Sequence, residues 1–317
     1  MLFENMIKNI YKKQMFSRQD ETHTAYYFTS DDFEGLNKTP YTFKSSKGHL
    51  LKGYFYSYKN PIENRIVVFD HGFGEGHRAY MKEIEMLCAK GYLVFSYDHT
   101  GCMESGGENC GGLSQSLVDL NDCLNSLKEH YPNYSFSVMG HSWGGYSSLN
   151  ICKLHQDLTH IVVLAGPNSV KRMIESSFKG ILKGYRQCIY ELEKQSNPNF
   201  IDFDAVDSLK DTTAKILVIY SDNDPVVSKE MHYDTLAQLP HITCVLSKNK
   251  GHNPNYTREA VKLLNDYQTK LKKAKLDTLE KKKAFIASFD WNAMTEQDNY
   301  IWEIIYNHLD KLLNVNK

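Results

Sequence analysis

The sequence has no excess of charge of either sign. Its 317 residues carry 37 Lys and Arg against 38 Asp and Glu, a formal net charge of −1. Because a nucleic-acid-binding surface needs a basic patch, this balance argues against nucleic acid as a partner. Lysines do cluster between residues 270 and 283, but acidic residues interleave with them, a pattern typical of a solvated helix face.

Cysteine pairs and long apolar runs are also missing. The seven cysteines are scattered and form no CxxC pair, which argues against a zinc site or thioredoxin-like chemistry. Such an odd, scattered set fits a reducing compartment, so we expect a cytoplasmic protein. No apolar run is long enough to span a bilayer. The lysine-containing N-terminus lacks the uninterrupted apolar stretch of a signal peptide.

What the sequence does contain is a series of short apolar runs that alternate with helical patterns. These runs predict strands at 65–69, 92–97, 136–139, 160–165, 216–220 and 242–246. Strands that alternate with helices indicate an α/β fold with a mostly parallel central sheet and helices on both faces. Tyr- and Phe-rich segments at 25–29, 40–44 and 50–58 precede them. A turn at 45–48 predicts that the last two pair as an antiparallel hairpin.

Two segments interrupt this alternation within what we expect to be one domain, residues 1–317. Residues 169–208 carry Met173, Phe178 and Ile181 at helical spacing, which predicts a short helical cap inserted over the carboxyl ends of the strands. Residues 265–317 predict a C-terminal helical extension packed on the core. This extension is also a candidate surface for a homodimer.

The stretch from Gly140 to Gly144, Gly-His-Ser-Trp-Gly, lies between a predicted strand and a predicted helix. This arrangement is the nucleophile-elbow pattern. The turn is so tight that only glycine fits at Gly140 and Gly144. It presents Ser142 above the sheet edge. A glycine-rich turn with an incidental serine is the alternative, so the assignment depends on whether the chain also supplies a base and an acid.

The base and acid candidates follow the serine in the chain. Serine needs an adjacent base, and histidine suits because its pKa lies near neutrality. A carboxylate then fixes the tautomer of that histidine. Asp222 and Asp224 follow the strand at 216–220, and His252 follows the last strand. We favour Asp224 as the acid because Pro225 turns its loop toward the next helix, and we expect Asp222 to bond within the loop.

Two backbone N–H groups are needed to hold the oxyanion. We expect these from Trp143, the residue after the serine, and from Phe73 in the glycine-flanked loop after the first parallel strand. His71 is expected to support that loop. A metal site from Asp70, His71, Asp98 and His99 is an alternative, but neighbouring residues in extended strands point to opposite faces. We therefore expect no cofactor and no metal.

The motifs HGFGEG, YDHTGCMESGG, GHSWGG, SDNDPVV and KGHN together resemble the α/β-hydrolase fold, from about residue 54 to 264. The group they resemble contains monoacylglycerol lipases, bacterial carboxylesterases and serine aminopeptidases. The resemblance implies Ser142, Asp224 and His252 as a catalytic triad, with Phe73 and Trp143 as oxyanion donors. It also implies a structural role for Asp98 and Ser105. The glycine-rich loop at 106–112 and the residues after 264 depart from the family pattern.

The sequence therefore predicts a serine hydrolase that cleaves a small-molecule carboxylic ester through an acyl-enzyme. The apolar cap residues favour a substrate with an acyl chain or an aromatic group. An aminopeptidase or amidase with the same triad is the first alternative. It would want acidic residues near the site, for which Glu175, Glu191 and Glu193 are candidates. A non-catalytic ligand-binding protein is the second alternative.

Overall fold

A twisted eight-stranded sheet forms the centre of the computed structural model, which describes residues 3–74 and 76–310. The strands are β1 (Asn37–Lys44), β2 (Leu50–Ser57), β3 (Arg65–Asp70), β4 (Leu93–Tyr97), β5 (Ser135–His141), β6 (His160–Leu164), β7 (Lys215–Ser221) and β8 (Ile242–Ser247). Their order across the sheet is β1-β2-β4-β3-β5-β6-β7-β8. β1, β2 and β4 pair antiparallel, and all other pairs are parallel.

This topology confirms the predicted mixed sheet and its antiparallel start. Strands β3 to β7 are buried almost throughout, as expected for parallel strands covered by helices on both faces. The carboxyl ends of β5, β7 and β8 lead into the loops that carry the candidate triad. Parallel pairing therefore brings these three loops to one edge of the sheet.

Helices cover both faces of the sheet. They are α1 (Glu4–Met15), α2 (Met81–Ala89), α3 (Gln115–His130), α4 (Trp143–Asn150), α5 (Val170–Ser177), α6 (Arg186–Ser196), α7 (Ala205–Leu209), α8 (Tyr233–Leu236), α9 (Arg258–Lys273), α10 (Leu279–Ala287), α11 (Trp291–Met294) and α12 (Asn299–Leu309). In the described part of the chain, none of these helices combines the length and the apolarity needed to cross a bilayer.

Two local predictions are wrong. Residues 25–29 form no strand and run as irregular chain, because the aromatic side chains that suggested a strand contact other elements rather than a neighbouring strand. The predicted helix at 229–239 is shorter and broken: a 3₁₀ turn at Lys229–Met231 precedes α8, and His232 between them has φ −152°. Such an extended φ interrupts helical backbone geometry.

The C-terminal extension packs back onto its own chain. The α12 side chains of Ile301, Trp302, Ile305 and Leu309 belong to the core cluster on one face of the sheet, and Trp302 is fully buried. The apolar pattern that suggested a partner surface is thus largely accounted for within the chain. The domain boundaries and the homodimer stay predictions, and residues 311–317 of the extension lie outside the described residues.

Candidate active site

Ser142 occupies a sharp turn between β5 and α4. Its φ of 55° lies in the left-handed region, which costs a non-glycine residue free energy and is found at functional sites where the surroundings enforce it. The turn is closed by a hydrogen bond from the Ser142 N–H to the Leu164 carbonyl, 2.9 Å. A Cβ at Gly140 would overlap the Gly144 backbone, and one at Gly144 would overlap the Asp70 backbone. Both glycines are therefore required sterically.

The structure brings the three candidate triad residues together in one hydrogen-bonded chain. Ser142 Oγ lies 2.8 Å from His252 Nε2. His252 Nδ1 lies 2.8 Å from Asp224 Oδ2. The Asp224 side chain is 1% exposed, whereas that of His252 is 20% exposed. The acid is thus shielded from water while the imidazole borders the open site.

The two aspartates of the β7–α8 loop have different partners. Asp224 Oδ1 accepts hydrogen bonds from the N–H groups of Val226, 2.7 Å, and Val227, 2.9 Å. This leaves Oδ2 for His252. Asp222 instead accepts from the N–H of Asn249, 2.8 Å, and so joins its loop to the loop after β8. The geometry therefore supports the choice of Asp224 over Asp222.

The candidate oxyanion loop lies directly against the nucleophile. A Cβ built on Gly72 would stand 3.4 Å from Ser142 Cβ, so a side chain at this position would contact the serine. Phe73 follows Gly72, and its ring packs edge-on against Trp143 at 5.2 Å between centroids. The Trp143 N–H begins α4, where the helix dipole favours negative charge. Both proposed donors thus flank the serine.

His71 supports this loop, as predicted. Its Nδ1 lies 2.6 Å from the Gly72 carbonyl, and its Nε2 accepts the N–H of His99, 3.0 Å. Burial, together with the positive charge of His99, lowers the pKa of His71 to about 3. A neutral ring with the proton on Nδ1 satisfies both contacts, because the carbonyl needs a donor and the N–H needs an acceptor.

A second hydrogen-bonded chain connects the oxyanion loop, the elbow and the candidate base. The Gly72 N–H donates to the Tyr80 hydroxyl, 3.1 Å, which lies 2.9 Å from His141 Nδ1. His141 Nε2 lies 2.8 Å from the carbonyl of His252. Burial lowers the pKa of His141 to about 3, helped by the neighbouring His252. A neutral His141 that donates from Nε2 therefore positions the backbone of His252.

The four residues of the alternative metal site are all bonded to protein groups: His99 contacts both His71 and Asp70, and Asp98 has other partners. Asp98 pairs with His77, whose Nδ1 is 2.8 Å from Oδ1. The amide of Glu104 also binds Asp98, and Ser105 Oγ donates to the Asp98 carbonyl, 2.5 Å, in line with the structural role that the resemblance implied for Asp98 and Ser105. The described residues hold no group of three or more His, Cys, Asp or Glu side chains arranged for a metal ion.

His99 lies between two carboxylates beneath the oxyanion loop. Its Nε2 is 3.1 Å from Asp70 and its Nδ1 is 3.3 Å from Asp119. Burial acts to lower the pKa of His99, but the two carboxylates outweigh it and raise this pKa to about 10. A charged His99 compensated by Asp70 and Asp119 satisfies the rule that buried charges are paired.

The side of the site that faces the cap is filled. The α1 side chain of Tyr11 packs against Phe178, 6.1 Å between centroids, and against Phe16, 6.2 Å. A Cβ at Gly112 would come within 2.9 Å of the Phe16 ring, so the glycine-rich loop makes room for this aromatic group. Of the cap residues expected to contact the substrate, Phe178 is buried against Tyr11 of α1 and Ile181 is 95% exposed.

Glu193 joins α1, the cap and the glycine-rich loop. It is fully buried in α6. The Tyr11 hydroxyl donates to Oε1, 2.6 Å, and the Leu113 N–H donates to Oε2, 2.8 Å. Burial raises the pKa of Glu193 to about 7, although both hydrogen bonds act to lower it. This buried position removes Glu193 as a candidate for recognising a peptide amino terminus.

This raised pKa should make stability depend on pH between about 4.5 and 7. Unfolded Glu193 ionises near 4.5, whereas folded Glu193 keeps its proton to about pH 7. Its stabilising contribution is present below pH 4.5 and is lost as the pH rises through 7, because the folded state binds more protons in that window. Relative to Glu193→Gln, we expect the unmodified protein to lose about 3 kcal/mol of unfolding free energy. Urea unfolding from pH 4 to 8 measures this loss.

The control for this prediction is Glu191→Gln, which changes an exposed carboxyl on the same helix. Because this variant keeps Glu193, its unfolding free energy should fall with rising pH as that of the unmodified protein does. A constant difference between Glu193→Gln and the unmodified protein would show instead that folding does not change the pKa of Glu193.

A cavity of about 620 Å³ opens beside Ser142 and His252. Its lining comes from both ends of the chain rather than from the cap. Residues 19–28 line one side, α9 and α11 line the other, and no residue between 169 and 208 takes part in the described lining. The sequence predicts that cap residues select the substrate. The described lining of this cavity contains none of them.

Several of these site residues could not be identified from the sequence. His141 is an exception: its place next to the nucleophile in the elbow indicates that the same turn buries it. Tyr80 gave no signal beyond its place before α2. The aromatic residues at 26–28 have a pattern that predicts a strand, but in the structure they line the cavity together with residues of α9.

Comparison with known proteins agrees with this architecture. The family model described as serine aminopeptidase, S33, matches residues 62–203. A monoglyceride lipase homolog of Monkeypox virus is 29% identical over 38% of this chain and 45% of its own length. Human monoglyceride lipase is 34% identical over 25% of this chain and 27% of its own length. The aligned part of the chain thus spans less than half the length of each of these relatives.

Solved structures extend the likeness to most of the chain. An esterase from Pyrococcus furiosus is 16% identical with a TM-score of 0.58, covering 82% of this chain and 96% of the esterase. A serine hydrolase homologue from Coxiella burnetii is 13% identical with a TM-score of 0.51, covering 80% of this chain and 97% of its own. At these identities the likeness shows the fold.

Proposed function

We propose that this chain, which has the α/β-hydrolase fold and resembles the group of monoacylglycerol lipases and esterases, is a serine hydrolase that cleaves a carboxylic ester. The observation that carries the proposal is the unbroken hydrogen-bonded chain from Ser142 through His252 to Asp224, at 2.8 Å for each step. A serine, a base and a buried acid in this relation can perform acyl transfer.

In the proposed mechanism, His252 Nε2 takes the proton of Ser142 as Oγ attacks the ester carbonyl carbon. Asp224 holds the proton on Nδ1 and stabilises the imidazolium. The N–H groups of Phe73 and Trp143 bind the oxyanion of the tetrahedral intermediate. His252 returns the proton to the leaving alcohol. A water, deprotonated by His252, then hydrolyses the acyl-serine and restores the free hydroxyl.

The lining of the cavity favours an ester over a peptide substrate. A free amino terminus needs an unpaired carboxylate. Among the described lining residues the single carboxylate is Asp20, and its Oδ1 already accepts from Arg18 Nε at 2.8 Å. Glu175 and Glu191 of the predicted cap do not line the cavity. The family description as serine aminopeptidase keeps peptidase activity as the second candidate.

Covalent labelling tests the proposal. We expect a fluorophosphonate probe to modify the protein at one site, and peptide mass spectrometry to place the adduct on Ser142. Parallel assays with p-nitrophenyl esters and aminoacyl-coumarins then compare ester with amide turnover, and ester turnover should be faster. Labelling of another serine, or no labelling of folded protein, would contradict the proposed nucleophile. Faster coumarin release would establish the peptidase instead.

A ligand-binding protein without catalysis is a third outcome of the same assays. It would bind esters and leave them intact, although the three side chains are in hydrogen-bonding contact. That result would contradict the proposed mechanism, because the serine hydroxyl is already bonded to the nitrogen that would take its proton.

A further inference from the structure

The cavity beside Ser142 extends under a segment that we call the N-terminal strap, residues 19–28. We propose that the half of the cavity between this strap and helices α9 and α11 is the specificity subsite, and that it binds an uncharged apolar group of the substrate. This inference rests on the proposed ester hydrolysis and adds the class of group that the site accepts and the residues that select it.

The start of the strap is fixed to the glycine-rich loop. The Gln19 N–H donates to the Gly101 carbonyl, 2.8 Å, and the Met103 N–H donates to the Gln19 carbonyl, 2.9 Å. The guanidinium of Arg18, just before the strap, donates to the carbonyls of Ser105 and Gly107, both at 2.9 Å. Gly107 of the glycine-rich loop and the residues just before this loop therefore anchor the strap.

The middle of the strap is fixed to the C-terminal helices. The Tyr267 hydroxyl in α9 donates to the Thr24 carbonyl, 2.7 Å. The Lys282 ammonium in α10 donates to the Thr22 carbonyl, 2.9 Å. Because the strap is held at both places, its side chains form a defined wall. A wall fixed before binding selects a ligand at lower entropic cost than a loop that must be ordered.

Aromatic rings stand on both walls of this subsite. Tyr26 and Phe28 pack edge-on at 4.9 Å between centroids, and across the cavity Tyr267 and Trp291 do so at 5.0 Å. The polar atoms of these walls are already bonded: Tyr26 to Asp32, and Trp291 Nε1 to the Ile286 carbonyl. The ring surfaces are what remain for a ligand, and they favour apolar or aromatic groups.

Two charged groups on the described lining lie near this subsite, and both already have protein partners. Asp20 is bonded to Arg18. Lys82 Nζ donates to Asn292 Oδ1, 2.6 Å, and lies 4.8 Å from the centre of the Phe28 ring. A charged ligand would have to give up its hydration and replace one of these contacts to gain a counter-charge. The subsite should therefore prefer a neutral group.

The apolar group can belong to the acyl half or to the alcohol half of the ester, and two substrate series distinguish them. The acyl series compares p-nitrophenyl octanoate with p-nitrophenyl acetate. The alcohol series compares 2-naphthyl acetate with ethyl acetate. In each series the measured quantity is the ratio of kcat/KM for the larger substrate to that for the smaller one.

Three variants test the subsite. Tyr26→Ala removes an exposed wall residue and Ala25→Trp fills the space that it borders. We expect about a tenfold fall in the ratio for one series with Tyr26→Ala, and a larger fall in the same series with Ala25→Trp. Ile181→Ala, on the exposed cap surface, should leave both ratios unchanged. A fall in the acyl series assigns the group to the acyl half, and a fall in the alcohol series assigns it to the alcohol half.

Unchanged ratios in both series for Tyr26→Ala, or a fall with Ile181→Ala, would overturn the subsite. A binding measurement separates this result from a failure of the proposed function. Saturation-transfer NMR should show that 1-octanol contacts the Ser142→Ala protein. Adding Ala25→Trp to this variant should remove the contact, and octanoate should show a weaker contact than 1-octanol. Binding without turnover by the unmodified protein would support the subsite and reject the hydrolase. Turnover with neither the octanol contact nor a change in the ratios would support the hydrolase and reject the subsite.

Discussion

Replacing Ser142 with alanine is expected to lower kcat for ester hydrolysis by about 10⁶-fold, as loss of the nucleophile does in a comparable triad enzyme. The reason is geometric: Ser142 Oγ is the atom that both bonds to His252 Nε2 and faces the cavity. Its removal leaves a base with nothing to activate except water. Residual catalysis should come from the Phe73 and Trp143 donors and from substrate binding. Steady-state turnover of p-nitrophenyl esters measures the effect.

The control for this change is Ser177→Ala. Ser177 is exposed on α5, and its hydroxyl bonds to the Met173 carbonyl one turn earlier. We expect full activity and unchanged probe labelling with this variant, and complete loss of labelling with Ser142→Ala. Thermal unfolding should show both variants folded. Comparable activity of Ser142→Ala and the unmodified protein would reject the proposed nucleophile.

Local sequence determined the parts of the site that depend on one turn or one strand end. The elbow could be identified because the steric demand at Gly140 and Gly144 arises from residues within a few positions, and from a strand whose apolar pattern was clear. The order of Ser142, Asp224 and His252 followed from three strand ends. Parallel pairing places such ends at one edge whatever the details of helix packing.

The cavity could not be predicted in the same way because its walls meet across the whole chain. Tyr267 donates to Thr24, a contact that joins residues 243 positions apart. An aromatic pattern shows that a side chain is buried but not which element covers it. Tyr26 and Phe28 were therefore assigned to a strand. The apolar pattern of the cap likewise suggests a contact of Phe178 with the substrate, whereas in the structure Tyr11 of α1 packs against this ring.

The glycine-rich loop shows how local sequence and contacts between distant segments act together. Its departure from the family pattern was visible in the sequence, but the reason was not. In the structure, Gly112 leaves room for Phe16, and Gly101 passes so close to the Asn109 backbone that a side chain would overlap it. The loop thus accommodates the N-terminal segment, which closes the cap side and continues as the strap. The subsite that we propose therefore lies between the strap and the helices α9 and α11 rather than under the cap.

Replacing Asp224 with asparagine is expected to lower kcat by about 10⁴-fold, the size of effect seen when a triad acid is made neutral. The hydrogen bonds around Asp224 predict the cause. Oδ1 accepts two backbone N–H groups, from Val226 and Val227, so the amide oxygen of asparagine must stay on that side. Its NH₂ group then faces His252 Nδ1. That nitrogen must accept, the ring proton moves to Nε2, and Nε2 can no longer take the proton of Ser142.

Asp222→Asn is the matched control, because it makes the same chemical change two residues earlier in the same loop. Asp222 accepts one backbone N–H, from Asn249, and an asparagine oxygen can replace it. We expect its kcat to stay within a few-fold of the unmodified protein, since an exposed neutral hydrogen bond contributes about 1 kcal/mol. Proton NMR provides a second measurement: the downfield Nδ1–H signal of His252 should persist in Asp222→Asn and disappear in Asp224→Asn. The opposite pattern would identify Asp222 as the acid, and a loss in both variants would point to disruption of the loop rather than to a tautomer change.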